Sequence, residues 1–386
     1  MAELTLFVEH QCNLRCTYCY NGDKFTRTMS ADTMRRAIDL ALRSPSGHFD
    51  LSFFGGEPLL RLGLLQQATE YLEQRLRGMP APRPTHRILV NTNGTLLSEE
   101  ALDWLSAPQV ATVFVSLDGP HDLHDRHRVD ASGRGSFDRV LEGLDRLRRR
   151  HIAFQLLSVI TPETARRLGE TVALLVDQEP RKITLSVNYA DDWTETSCAD
   201  LRAGLRDAGE IYKNCFRSGK VLPLDPLHTK ILTHLKGGIP CPSRCLLAGH
   251  EWTVTPSGRI YPCAQMVGRD EGGDLVIGHV DTGLDADRMA LLQQSKDRVE
   301  QACADCALRD RCQSHCGCRH LRLTGQLGEI TATLCETESA FIEAADDVAE
   351  MLFAEQCETF VAYYYQRSWN TTAGAQLTQL RRSRDA

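Results

Sequence analysis

Cysteine placement is the feature of this sequence that most restricts what it can fold into. The 386-residue chain has 15 cysteines: three lie in the first twenty residues, none lies between Cys19 and Cys198, and nine of the remaining twelve lie between Cys241 and Cys335. Closely spaced groups of thiols are typical of metal centres. The arrangement predicts two metal-bearing regions that flank a cysteine-free body.

Composition narrows the setting in which these thiols act. The N-terminus lacks a basic stretch followed by an apolar run of signal-peptide length, and no run of about 18 apolar residues occurs anywhere. We therefore expect a cytoplasmic protein with no membrane association, in which a reducing environment keeps thiols free for metals. Lys and Arg total 44 against 51 Asp and Glu, a net charge of −7, which argues against a nucleic-acid partner.

The cysteine-free body alternates short apolar runs with amphipathic segments. Strands are predicted at 4–9, 50–54, 86–92, 111–117, 152–159 and 182–189, and helices near 30–43, 61–77, 98–106, 136–150 and 163–178. Strands that are apolar throughout, separated by helices, predict a parallel sheet covered by helices. Six such units fit a partial (β/α)6 barrel or an open doubly wound sheet, and spacing alone does not separate the two.

The residues with unusual chemistry follow the predicted strands. Cys12, Cys16 and Cys19 follow strand 1, Gly55-Gly56-Glu57-Pro58 follows strand 2, Asn93-Gly94 follows strand 3, and Ser116-Leu117-Asp118-Gly119 ends strand 4. Ligands of parallel sheets bind at the carboxyl ends of the strands. Four consecutive loops are therefore expected to meet at one mouth.

Cys12-x3-Cys16-x2-Cys19 places three thiols on one loop, which suits a [4Fe–4S] cube with one open iron. A zinc site and unligated core cysteines are the alternatives. At this point the sequence resembles the radical S-adenosylmethionine (SAM) superfamily, whose CxxxCxxC signature follows the first strand of a partial (β/α)6 barrel. The resemblance covers roughly residues 4–190 and implies that SAM binds the open iron.

The resemblance also implies which residues contact SAM. Gly55, Gly56 and Glu57 look like the family's GGE motif, in which the carboxylate accepts hydrogen bonds from the ammonium group of SAM. Ser116 and Asp118 look like the polar strand end that holds ribose and methionine, Arg128 like an arginine that reaches the SAM carboxylate, and Tyr18 like the ring near the adenine. Asn93 supports the same pocket or simply forms a turn before Gly94. His121, His124 and His127 are read as loop residues that form hydrogen bonds.

The second cysteine array resembles the seven-cysteine SPASM domain, with Cys241 as an eighth thiol. That pattern implies two auxiliary [4Fe–4S] clusters, the first held by Cys241, Cys245, Cys263 and Cys316, and the second by Cys303, Cys306, Cys312 and Cys335. Cys241 is the least secure ligand, so the first cluster could instead keep an open iron, and Cys318 could act as a substitute. A pair of zinc ribbons is the alternative.

Three regions are predicted on this basis. Residues 1–236 form the radical SAM partial barrel with linker helices near 199–218 and 226–236, residues 237–336 form the SPASM domain with a hairpin at 251–262, and residues 337–386 form a C-terminal helix, over 337–366, and tail. Buried packing is the expected role of Cys198, Cys215, Cys318 and Cys357, with a substitute ligand as the alternative for Cys318.

The resemblance implies a radical SAM enzyme that reductively cleaves SAM to a 5′-deoxyadenosyl radical and oxidatively modifies a ribosomally made peptide, by a thioether or carbon–carbon crosslink. The alternative is an anaerobic sulfatase-maturating type of enzyme that oxidises Cys or Ser to formylglycine. That family places an aspartate base after the cysteine corresponding to Cys263, where this chain has Ala264. No catalytic residue is assigned, and Asp191, Asp192 and Asp225 are only guesses for a base.

Three kinds of partner are expected. They are a peptide or protein substrate, a reductant such as flavodoxin or ferredoxin, and a separate leader-peptide-binding protein. Since strand 1 begins at Leu4, the surface of the barrel and SPASM domain is the alternative site for the leader. A non-catalytic iron–sulfur or zinc protein, used as an electron carrier or redox sensor, is the hypothesis from a different class. It would not need GGEP and SLDG at adjacent strand ends.

Overall fold

The computed structural model describes residues 2–43, 47–235, 245, 247–249 and 251–366. Its N-terminal part alternates six strands with helices, as the sequence predicts, and two helices instead of one lie between the fourth and fifth strands. The strands are β1 (Ala2–Glu9), β2 (His48–Gly55), β3 (Thr85–Thr92), β4 (Val110–Ser116), β5 (Phe154–Ile160) and β6 (Ile183–Val187). The helices are α1 (Ala31–Leu42), α2 (Leu62–Arg77), α3 (Glu99–Leu105), α4 (His121–His127), α5 (Phe137–Arg149) and α6 (Leu168–Asp177).

The first six strands pair in parallel in the order of the sequence, which forms the open, partial barrel. Leu4, Leu6, Leu51, Val90 and Val115 are almost completely buried between the strands and the covering helices. Nearly every residue of β1 and β2 is buried, as expected for strands covered on both faces, whereas burial alternates along β3, β4 and β5. The barrel strands therefore end at one rim, where the signature loops follow them.

Helix α4 is the main local difference from the sequence-based expectation, which treated this segment as a loop. The helix starts directly after Pro120 and has only seven residues, so it shows no apolar periodicity in the sequence. His124 is buried in it, accepts a hydrogen bond from the amide of Asp118 at 3.2 Å and lies 3.0 Å from Ser136 Oγ. The expected role of His124 in hydrogen bonding is thus met from a helix.

The remaining elements follow the barrel. They are α7 (Glu195–Arg217), β7 (Leu224–Asp225), α8 (Leu227–Leu235), β8 (Glu251–Val254), β9 (Arg259–Tyr261), β10 (Gly278–His279), β11 (Gly283–Leu284), α9 (Ala286–Asp297), α10 (Val299–Ala302), α11 (Gly317–Thr324), α12 (Ala332–Ala354) and α13 (Glu358–Val361). Helix α12 begins before the predicted residue 337 because Thr331 caps it, accepting from the amide of Leu334. The chain then leaves the helix near Gln356, whose φ is 53°.

The C-terminal strands join the barrel in one sheet of order β11-β10-β9-β8-β1-β2-β3-β4-β5-β6-β7. Strand β8 pairs in parallel with β1, and β8 and β9 form the predicted antiparallel hairpin. The predicted domain boundary at residue 237 lies outside the described residues. Within the described part of the chain, no helix has the length and apolar character needed to cross a membrane.

Candidate active site

A cavity of about 470 Å³ lies at the carboxyl ends of the barrel strands. The loops after β1, β2 and β3 and the ends of β4, β5 and β6 form most of its wall, and α11 closes it from the C-terminal region. Cys12, Cys16 and Cys19 line one part of the wall, and Cys316 and Cys318 line another. The structure thus brings thiols from both cysteine arrays to a single cavity.

The loop that carries Cys12, Cys16 and Cys19, here the N-terminal triad, is held by backbone hydrogen bonds. The amide of Arg15 donates to Val129 O at 2.6 Å, and the amide of Thr17 donates to His127 O at 3.0 Å. Burial, with a smaller contribution from the negative charge of Glu57, raises the pKa of the Cys12 thiol to about 12. A thiol of this kind ionises when a cation binds it, which suits iron ligation.

Asn93 contacts this loop from the end of β3. Its Nδ2 donates to Asn13 Oδ1 at 2.8 Å and lies 3.7 Å from Cys12 Sγ. Its Oδ1 accepts from the amide of Thr95 at 3.0 Å, as a turn-forming asparagine does. Asn93 therefore forms the expected turn and also links it to the loop of Cys12, while it lines the cavity.

The glycines of the GGEP segment allow two chain segments to pass very close together. A Cβ on Gly56 would lie 2.1 Å from Gln11 O, and one on Gly55, whose φ is +140°, would lie 2.5 Å from Glu9 O. The amide of Gly56 donates to Glu9 O at 2.7 Å. Glycine is thus required here by the segment that leads into Cys12.

Glu57 is completely buried, and its carboxylate accepts hydrogen bonds from neighbouring protein groups. It accepts from the amides of Asn93 at 2.7 Å and Leu59 at 3.1 Å, and from Thr92 Oγ1 at 2.8 Å. Burial nevertheless raises its pKa to about 7. Glu57 lines the cavity, and in this structure it also ties the loop after β2 to the end of β3.

Asp118 and Arg128 form a buried ion pair beside the N-terminal triad. Arg128 Nε donates to Asp118 Oδ2 at 2.8 Å and Nη2 donates to Oδ1 at 3.2 Å, while the Tyr18 hydroxyl and the amide of Val159 also donate to this carboxylate. Although burial opposes ionisation, Arg128 keeps the pKa of Asp118 below its ordinary value. Arg128, Tyr18 and Ser116 line the cavity. Asp118 orients Arg128 and Tyr18 through hydrogen bonds.

Three polar residues that sequence reasoning missed also line the cavity, each with a buried atom that has no hydrogen-bond partner among the described residues. The atoms are Ser158 Oγ on β5, Asn188 Nδ2 after β6 and Asn21 Oδ1 after the N-terminal triad. A buried polar group without a partner is costly unless a ligand satisfies it. These orphaned groups suit a ligand with several hydrogen-bonding atoms, as SAM has. Ser158 could have been noticed as the lone polar residue near the end of an apolar strand.

In the C-terminal region, Cys245, Cys263, Cys316 and Cys318 come together as the inner thiol group. Cys316 Sγ and Cys318 Sγ are 3.1 Å apart, Cys245 is hydrogen-bonded to Cys316, and Cys318 is hydrogen-bonded to Cys263. Cys241, expected as a ligand here, lies outside the described residues. The expected assignment of Cys245, Cys263 and Cys316 to one centre agrees with this geometry, and Cys318 joins them.

Cys303, Cys306, Cys312 and Cys335, the outer thiol group, surround a separate small cavity of about 50 Å³. They come from the end of α10, the following loops and the first turn of α12. Burial, followed by the charge of Glu338, raises the pKa of Cys312 to about 12. The structure thus brings together the four residues expected to hold the second auxiliary cluster.

The three aspartates named as possible bases do not line the 470 Å³ cavity. Asp225 instead pairs with Lys182 and accepts from Thr229 Oγ1 at 2.7 Å. Gln265, which follows Ala264, lines the cavity, and among the described lining residues Glu57 is the one carboxylate. The geometry therefore assigns no aspartate base.

Comparisons with known proteins agree with this architecture. The model of the radical SAM superfamily matches residues 8–175. Over 361 residues the chain is 23% identical to a cysteine-type anaerobic sulfatase-maturating enzyme of Clostridium perfringens (strain 13 / Type A), covering 86% of this chain and 93% of the relative. It is 26% identical to a serine-type anaerobic sulfatase-maturating enzyme of Klebsiella aerogenes over 338 residues, covering 81% and 78% of the two chains.

Two solved structures share the fold. Native anSMEcpe with bound AdoMet superposes with a TM-score of 0.75 at 19% identity, covering 90% of this chain and 98% of that chain. Streptococcus suis SuiB bound to precursor peptide SuiA gives a TM-score of 0.61 at 15% identity, covering 86% and 75%. The cofactors of the superfamily are SAM and a [4Fe–4S] cluster. The N-terminal triad fits the cluster, and the cavity's polar groups without partners among the described residues fit SAM. The thiols of the C-terminal region fit auxiliary clusters. Residues 8–175 form a radical SAM domain, and this domain together with the sulfatase-maturating relatives indicates an enzyme that catalyses a radical oxidation, with the layout of the SPASM-type maturases.

Proposed function

We propose that this enzyme oxidatively modifies a residue of a ribosomally made peptide, with a thioether or carbon–carbon crosslink as the product. The observation that carries the proposal is the single cavity that the N-terminal triad shares with Cys316 and Cys318. A substrate in this cavity lies between the site where a radical is generated and thiols suited to an electron-accepting cluster. Such a layout fits removal of a hydrogen atom followed by removal of an electron.

The chain's own residues would bind and orient the cofactors. Cys12, Cys16 and Cys19 would hold the [4Fe–4S] cluster, which together with SAM supplies the radical that abstracts hydrogen. Arg128, fixed by Asp118, presents a positive charge at the cavity wall for a carboxylate. Ser158 Oγ and Asn188 Nδ2 offer hydrogen bonds to a ligand, since neither atom has a partner in the part of the chain that the structure describes.

The neighbouring structures support a peptide as substrate, because SuiB was solved with a precursor peptide and anSMEcpe with peptides. Electrons for SAM cleavage would come from a small reductant such as flavodoxin or ferredoxin. A separate protein would present the leader of the precursor peptide. Both partners belong to this proposal.

Formylglycine formation in a sulfatase is the second candidate, favoured by the sulfatase-maturating relatives that cover most of this chain. Against it stands Ala264, where those enzymes are expected to carry an aspartate base, together with the lack of an aspartate among the described lining residues of the cavity. The two candidates share SAM cleavage and differ in the bond that is formed.

SAM cleavage tests the part that both candidates share. The anaerobically reconstituted enzyme should produce methionine and 5′-deoxyadenosine, and replacing Cys12, Cys16 and Cys19 together with Ala should abolish both products while auxiliary iron remains. Ser158→Ala should weaken SAM binding about tenfold, because a buried hydrogen bond is lost. An enzyme with intact clusters that forms neither product would overturn the proposed function.

Product mass separates the two candidates. Co-expression with a precursor peptide encoded beside the enzyme, under anaerobic conditions, should give a peptide that lacks two hydrogen atoms per crosslink and does not react with hydroxylamine. A sulfatase-derived peptide converted to formylglycine would instead form an oxime with hydroxylamine, and a cysteine substrate would also exchange sulfur for oxygen. An unchanged precursor with an oxime-forming sulfatase peptide would decide for formylglycine.

A further inference from the structure

The inner thiol group connects three separate segments of the C-terminal region through sulfur contacts. Cys245 lies before β8, Cys263 follows β9, and Cys316 and Cys318 flank Gly317 at the start of α11. The contacts run from Cys245 to Cys316, from Cys316 to Cys318 and from Cys318 to Cys263. Cys318 is the thiol that closes this chain of contacts.

Backbone amides support the same group of sulfur atoms. The amide of Gly317 donates to Cys245 Sγ, and the amide of Arg319 donates to Cys316 Sγ. Amide hydrogen bonds to sulfur are among the factors that stabilise iron–sulfur centres. Both amides belong to the first turn of an eight-residue helix, whose N-terminal dipole favours negative charge.

Gly317 lets the helix start fit tightly beside its neighbours. A Cβ at this position would lie 3.0 Å from Leu247 Cδ2 and 3.2 Å from Leu327 Cδ2. This packing fixes where α11 begins, and with it the position of Cys316 and Cys318. The Cys-Gly-Cys run is thus held against the core instead of being free to turn away.

We propose that Cys318 is the fourth protein ligand of the first auxiliary cluster, together with Cys245, Cys263 and Cys316. Each thiol loses its proton on binding iron, and no electron changes hands in this step. The inference rests on the proposed function insofar as that function requires an auxiliary cluster. It departs from the family's pattern, because it makes Cys241 dispensable for the cluster.

Four thiolates leave no iron of a cube open. The first auxiliary cluster would then exchange electrons with the substrate without binding it, through a ligand that lines the cavity. Cys316 and Cys318 both face that cavity. The ligand assignment therefore decides between an electron-accepting role and a substrate-binding role for this cluster.

Iron content tests the assignment in the variant that lacks the N-terminal triad, so that only auxiliary iron is counted. In this background Cys318→Ala should lose about half of the iron or, by loss of one iron, give the EPR signal of a [3Fe–4S] cluster. Cys241→Ala and Cys215→Ala should keep all of the auxiliary iron. Cys215, a buried residue of α7, is the matched control. The outer thiol group is unchanged in each variant, so its cluster reports correct folding.

Alkylation of the unmutated enzyme gives an independent measurement. Iodoacetamide should leave Cys318 unmodified in the anaerobic holoenzyme and modify it after a chelator removes iron, whereas Cys241 should react in both states. Arg244 separates Cys241 from Cys245 in a tryptic digest, whereas Cys312, Cys316 and Cys318 share one peptide, so tandem mass spectrometry is needed to locate the label on Cys318.

Full iron in Cys318→Ala, equal loss in Cys241→Ala, or alkylation of Cys318 in the holoenzyme would overturn the assignment. Auxiliary iron missing from the background variant itself would instead contradict the proposed function. If Cys318→Ala fails to fold, the alkylation result alone decides. The two proposals are therefore tested separately.

Discussion

Lys24 Nζ lies 2.8 Å from Cys19 Sγ, on the wall of the active-site cavity. It places a positive charge next to one thiol of the N-terminal triad. No feature of the CxxxCxxC signature specifies a lysine five residues after its last cysteine.

Replacing Lys24 should alter the reduction potential of the cluster that the triad binds. A nearby cation stabilises the more negative, reduced state, so Lys24→Met should lower the potential by on the order of 60 mV, which is tenfold in a one-electron equilibrium. An EPR-monitored redox titration measures the shift. Lys24→Arg keeps the charge and should stay near the parent value; equal potentials for all three proteins would contradict this role.

Gly56→Ala should prevent the first cluster from assembling. Its Cβ would meet Gln11 O at 2.1 Å, so the segment that leads into Cys12 must move. We expect loss of the iron bound by the triad with auxiliary iron unchanged. Gly63→Ala, in α2 with open space around its Cβ, is the matched control and should be neutral or stabilising by up to about 1 kcal/mol. Normal iron content in Gly56→Ala would refute the steric argument.

Asp118→Asn should destabilise the fold by about 3 kcal/mol, because it leaves the buried guanidinium of Arg128 without its charge partner. Denaturant unfolding of the protein measures the change. The exposed pair Arg126 and Glu163 provides the comparison, and Arg126→Ala should change stability by no more than about 0.5 kcal/mol. Similar changes in the free energy of unfolding for the two substitutions would show that the buried ion pair contributes no more to stability than the exposed pair.

At about pH 8, Glu251→Gln should stabilise the protein by roughly 1 kcal/mol at most, after allowance for solvent screening. Near pH 4 the substitution should have little effect on the free energy of unfolding. Glu251 of β8 lies opposite Glu3 of β1. Burial, then repulsion by Glu3, raises the pKa of Glu251 to about 7. A carboxyl with a raised pKa in the folded state favours folding at low pH, and this contribution is lost as pH rises from about 4.5 to about 7. Denaturant unfolding of both proteins across this pH range measures the effect. The prediction would be contradicted if the free energy of unfolding depended on pH in the same way in the variant and in the parent protein.

The parts of this molecule that follow local rules could be predicted from the sequence. Six strands and five helices of the barrel lie within a few residues of the expected ranges, because each has a long apolar run or stripe. The N-terminal triad was predictable from spacing, and the outer thiol group from the resemblance to the SPASM pattern. Helix α4 was not predicted, since its seven residues include a single apolar side chain, Leu123, and carry no periodic signal.

The site itself depended on contacts between distant segments. Neighbouring loops meet at the rim, and this brings Asp118 to Arg128 and places Ser158 and Asn188 in the cavity wall. A sequence pattern read for each strand separately does not show such contacts. The Cys-Gly-Cys run gave a local signal for Cys318. Its contact with Cys263 across more than fifty residues required the fold.

The backbone ladder between β1 and β8 has a consequence for how a substrate reaches the cavity. It joins the strand that ends in the N-terminal triad directly to the strand that starts the hairpin before Cys263. Paired strands resist bending relative to each other, so we expect the segment that leads into Cys12 and the hairpin that leads into Cys263 to keep a constant separation. Access of a substrate to the cavity should therefore depend on the surrounding loops and not on separation of these two strands.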